Sequence, residues 1–132
     1  MKLLGIVWAA PITLVALLVA MLLCLRHAKL RYRLGAIDCL GLPVADTLDW
    51  LPTTARVDAI TLGHVIFSRD EHIATTWCAH ERIHVRQYER WGIFLPLAYG
   101  IASVIAWTNG ECPYRDNAFE REARQPARQS CN

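Results

Sequence analysis

Ala79-His80-Glu81-Arg82-Ile83-His84-Val85 is the stretch on which the reading of this chain turns. Histidines four residues apart fall one turn apart on the same face of a helix, so both imidazoles can reach one metal ion, at about 2.0–2.1 Å if it is Zn²⁺. The glutamate one position along sits beside that ion and not on it. From there its carboxylate can take a proton from a zinc-held water and later pass it to a leaving amine. His80 and His84 are therefore candidate zinc ligands and Glu81 the candidate catalytic base. The bland alternative is a charged helix face whose histidines meet solvent, since a chance H-E-x-x-H arises in roughly one such chain in a hundred. The setting argues for the metal. From Arg69 to Trp91 there is no Gly or Pro, and Ile73, Trp77, His84, Tyr88 and Trp91 recur at helical intervals. Ser68 followed three residues later by Glu71 has the capping-box pattern, and Gly92 supplies a stop. The spacing predicts one helix of about twenty residues.

Upstream of that helix, residues 57–67 (VDAITLGHVIF) are rich in β-branched and apolar side chains and read as a strand. Before them, residues 34–55 are broken by Gly35, Gly41, Pro43 and Pro52 and read as a connecting region with at most a short strand or turn. The N-terminal run, residues 3–25, carries no charge. As a helix it would be about 34 Å long against a bilayer core of about 30 Å, too long for the apolar part of a signal peptide. Leu22-Leu23 before Cys24 lacks the small residues that a lipoprotein cleavage site needs. A single-pass transmembrane anchor is the expectation. Arg26, Lys29, Arg31 and Arg33 follow it, against Lys2 before it, which places the catalytic domain on the cytoplasmic face.

A catalytic zinc needs a third protein ligand and an open position for water. No histidine follows His84, so the metzincin arrangement is excluded. What remains is a carboxylate, and Asn117-Ala118-Phe119-Glu120-Arg121-Glu122-Ala123 offers Glu120 and Glu122. Residues 92–107 (GIFLPLAYGIASVIAW) are uncharged, but their helical length of about 24 Å is short for a span. A crossing there would also put both glutamates on the opposite side of the membrane from the histidines. They are expected to form a buried or interfacial helix, bent near Pro96, that returns the chain to the active helix. Tyr99 and Tyr114 could each donate to an oxyanion, and Asp116, Asn117 and Glu122 could hold the imidazole N–H groups. His64, on the expected strand, is read as structural.

Lys and Arg number 14 against 12 Asp and Glu, a net charge of +2. That balance, with no nucleic-acid motif, excludes a nucleic-acid partner. Five cysteines at wide spacings, with no C-x-x-C pair, do not make a disulfide scaffold; free thiols fit a reducing compartment.

His80-Glu81-x-x-His84 followed by Glu120-x-x-Ala123 resembles the gluzincin pattern, in which a Glu ahead of a small residue is the third zinc ligand. Membrane-associated gluzincins often continue as E-x-x-A-D, where this chain has Arg124. The stretch 63–124 is also similar to a small bacterial membrane-anchored group carrying HERxHVRQYERWG and NxFEREA. The resemblance implies a zinc-dependent peptidase acting on a peptide or protein substrate, with Glu120 on the metal and Glu122 outside it. The fold expected is mainly α with a short β element, a minimal zincin-like domain behind an N-terminal transmembrane helix. Its parts would be residues 1–25 as anchor, 26–56 as a basic juxtamembrane and connecting region, 57–124 as the metal-binding domain and 125–132 as a disordered tail. The alternative is a membrane-anchored zinc-binding domain without activity.

Overall fold

The computed structural model describes residues 2–53 and 56–125. Of the expected tail at 125–132, residues 126–132 lie outside the described residues. The chain is mainly helical around one small sheet. Its order is α1 (Lys2–Cys24), β1 (Lys29–Arg33), β2 (Ala36–Leu40), α2 (Leu42–Asp49), β3 (Ala59–Leu62), β4 (Val65–Ser68), α3 (Glu71–Thr76), α4 (Cys78–Trp91), α5 (Leu95–Thr108) and α6 (Ala118–Arg124). A 3₁₀ turn, Gly92–Phe94, joins α4 to α5.

The four strands lie in the order β1-β2-β4-β3. β1 and β2 form an antiparallel hairpin, β3 and β4 another, and β2 pairs in parallel with β4. The β2–β4 crossover carries α2, which a parallel pair requires in some form. The region read as a connector, 34–55, thus holds a strand and a helix, β2 and α2. It lacks a clear period because the short β2 is buried at almost every position and α2 is only two turns long. The single strand read over 57–67 is two strands, turned at Gly63-His64.

The long helix is likewise two. Its cap is Asp70, whose side chain accepts from Ile73 N at 2.8 Å, and the axis breaks at Trp77. Ser68 cannot serve as the cap because it is wholly buried in β4, opposite Ala59 and Leu40.

α1 is long and apolar enough to cross a membrane. Its small residues Ala9, Ala16 and Ala20 are nevertheless wholly buried. Ala16, Ala20 and Leu23 share a core with Cys39, Val44, Leu48, Val65 and Phe67, while Ala9 packs with Tyr88 and Leu95. The side opposite, including Leu3, Val7, Leu14, Leu18 and Leu25, is exposed. The helix therefore docks along the domain by one face and leaves a large apolar face uncovered. Cys24, Cys39 and Cys112 are free thiols, but Cys78 is disulfide-bonded, against the reading of unpaired cysteines.

Candidate metal centre

α4 presents His80 and His84 on the face that meets α6. Their Nε2 atoms are 3.1 Å apart. Glu120 comes in from α6, with Oε2 3.3 Å from His80 Nε2 and Oε1 3.3 Å from His84 Nε2. All three side chains are nearly buried, at 10%, 12% and 4% exposure. The group could hold a metal ion.

The donor set favours one. Among the described residues, Glu120 Oε2 is buried with no hydrogen bond, faced only by His80 Nε2 at 3.3 Å and the Arg124 guanidinium at 3.8 Å, and a buried carboxylate oxygen so loosely met has room for a closer cation. Burial pushes the Glu120 carboxyl up, but the two imidazoles and the Tyr99 hydroxyl outweigh it and hold the group well below the usual carboxylate range. Burial likewise pulls His84 down, and Glu120, Glu81 and Gln87 outweigh that in turn, raising it. The two shifts are the two sides of one contact: Glu120 is held as a carboxylate and His84 is favoured as the imidazolium.

The return from α4 to α6 is built by α5. Gly92 breaks the helix at φ 56°, and Pro96 sits in the first turn of α5, where its missing N–H costs nothing. The bend expected near Pro96 is therefore made four residues earlier. Asn117, wholly buried, then fixes the start of α6. Its Oδ1 accepts from Phe119 N at 2.9 Å, and its Nδ2 donates to Tyr99 O and Ser103 Oγ at 3.0 and 2.8 Å.

Glu81 is also buried. Thr61 on β3 donates to its Oε2 at 2.6 Å, and its charge acts on both His84 and Tyr114. The two tyrosines separate: Tyr99 donates to Glu120 Oε1 at 2.9 Å, while Tyr114 is exposed. Glu122 turns away from the imidazoles to Gln87 and Arg90. Asp116 is engaged with Cys112 N and Arg115. Among the described residues, neither Asp116 nor Asn117 meets an imidazole, and His80 Nδ1 is buried without a partner. Gln87 holds the His84 ring, its Oε1 2.8 Å from Nδ1. Its position three residues after His84 was the available signal, since i and i+3 share a helix face.

His64 lies apart from the triad, between Thr13 and Glu89, at 3.1 and 3.2 Å. A cavity of about 240 Å³ beside it is lined by α1 residues, Gly35 and His64, and by none of the triad. No family model, curated protein or solved structure matches the chain.

Proposed function

We propose that the chain is a membrane-attached, zinc-dependent peptidase built on the gluzincin pattern, with His80, His84 and Glu120 on the metal and Glu81 as the base. The observation that carries this reading is the convergence of the three side chains, one ligand atom of each lying within 4.8 Å of the others. The two Nε2 atoms are 3.1 Å apart, and each lies 3.3 Å from a different oxygen of Glu120. Tetrahedral zinc with bonds of 2.0–2.1 Å sets its ligands about 3.3 Å apart.

Bound zinc would polarise a peptide carbonyl and acidify a water. The remaining work falls to the chain. Thr61 holds Glu81 by one oxygen, leaving the other to carry a proton between water and leaving amine. With Tyr99 committed to Glu120, Tyr114 is the hydroxyl available to a substrate oxygen. β3 is an edge strand that packs on α4, and an extended peptide could pair with it. The uncovered face of α1 supplies the membrane attachment; the cations after it favour a cytoplasmic domain, while the Cys78 disulfide favours the oxidising side of the membrane.

A zinc site without activity is the second reading, favoured by the near-complete burial of all three ligands. Zinc content and peptide cleavage separate the two. We expect one zinc per wild-type chain, little in His80→Ala or Glu120→Ala, and full zinc with cleavage lowered at least about 100-fold in Glu81→Gln. Equal cleavage by wild type and Glu81→Gln, or none by either with zinc bound, would refute the peptidase.

A further inference from the structure

The side chain of Gln87 is wholly buried at the junction of the two ligand-bearing helices. Its Nε2 lies 3.0 Å from the Phe119 carbonyl and 2.8 Å from Glu122 Oε2. A carbonyl and a carboxylate only accept, so both Nε2 hydrogens are committed and the amide has one orientation. Oε1 then faces His84 Nδ1 at 2.8 Å. Because Oε1 also only accepts, Nδ1 carries the hydrogen. In neutral His84 the lone pair is left on Nε2, the atom that faces His80 and Glu120. The other end of the same amide grips the backbone of Phe119, immediately before Glu120.

We propose that Gln87 is a positioning residue of the metal centre, setting the His84 tautomer and tying it to the docking of α6. The metal-competent face of α4 and the carboxylate of α6 are thereby assembled by one side chain. This rests on the metal-centre reading above, so the experiment keeps the two apart.

Three variants of the full chain in detergent serve. Gln87→Leu removes both ends of the clamp. Gln87→Glu keeps an acceptor for Nδ1–H but sets a carboxylate against Glu122. Adding Glu122→Gln to Gln87→Glu reverses the polarity of that contact, so that an amide N–H again meets a carboxylate. The readouts are Zn²⁺ affinity by chelator competition and the ring ¹⁵N shifts of His84 in metal-free protein, taken above the pH at which the ring titrates so that the neutral tautomer is read.

Wild type should show the Nδ1–H tautomer. Gln87→Leu should show mixed tautomers and bind zinc about 10–100-fold more weakly. Gln87→Glu should also bind weakly, and the double variant should recover part of that loss, because the Glu122 contact is restored while the Phe119 carbonyl still faces a carboxylate oxygen. If wild type binds no zinc, the metal centre and this proposal fall together. If wild type binds and Gln87→Leu matches it in affinity and tautomer, only the role of Gln87 is overturned. Should Gln87→Leu not fold, the single and double glutamate variants decide: a double no tighter than the single overturns the clamp.

Discussion

A methyl group at Gly92 would stand 2.5 Å from the Trp8 ring, on a residue held at φ 56°. At Gly63, φ 61°, it would meet Thr13 Oγ1 at 2.3 Å. Both glycines are places where α1 lies too close for a side chain. Gly92→Ala should therefore cost at least about 1–2 kcal/mol from the left-handed backbone alone, read by urea unfolding in detergent. A neutral result would mean that neither the turn at Gly92 nor the seat of α1 against it is as described. The thiols offer a second test of the same packing. Burial pushes Cys39 up to about 11, while Cys112 is exposed and lowered by the backbone N–H groups of Arg115 and Tyr114. A maleimide should modify Cys112 in native protein and reach Cys39 only on unfolding, as mass spectrometry would show. Comparable rates would mean an open core beneath α1.

Among the elements, α4 and α6 have separate moorings. α4 is held to the sheet by Arg82, whose guanidinium lies 3.3 Å from the buried Asp38 on β2. Arg31 and Arg33 approach the same carboxylate at 3.6 and 3.5 Å. Removing one partner of a buried ion pair strands the other, so Asp38→Ala should destabilise the protein by about 3–5 kcal/mol. α6 is held by its cap. Asn117→Ala should cost about 1 kcal/mol of stability and weaken zinc binding, because Glu120 rides on that helix. Chemical denaturation and zinc competition on the one variant check both, and unchanged zinc affinity would show that the cap does not position Glu120. Element ends were the least legible features. The motif helix was evident from its period, but the break at Trp77 and the cap at Asp70 were not, since strand pairing claimed Ser68.

For the whole molecule, two apolar surfaces need an environment. The outer face of α1 is joined through Trp8 and Phe94, whose rings are 5.9 Å apart, to an α5 that exposes Leu97, Ile101 and Trp107. The inner face of α1 meets polar partners, Glu89 at Gly5 and His64 at Thr13, so lipid can cover only the outer one. A charge placed on an outer face in hydrocarbon costs about 2.5–3.5 kcal/mol at mid-bilayer. Leu18→Arg should accordingly reduce co-flotation with lipid vesicles more than tenfold, and Ile101→Arg should reduce it too if α5 shares the membrane surface. Undiminished flotation of Leu18→Arg would remove α1 as the attachment.

What the sequence by itself determined lies within single helices. The facing of His80 with His84, the place of Glu81 beside them and the apolar length of α1 depend only on spacing along one axis. Tertiary structure decided everything that joins one element to another. Spacing left Glu120 and Glu122 open and only the E-x-x-A resemblance favoured Glu120; in the fold Glu120 faces the imidazoles while Glu122, two residues on, turns to Gln87 and Arg90. Tyr99 closes on Glu120, and Gln87 sets the His84 ring. α1 divides into a docked face and an open one. Such choices follow from how helices pack across more than thirty residues of intervening chain, and no local period encodes the rotation of one helix against another.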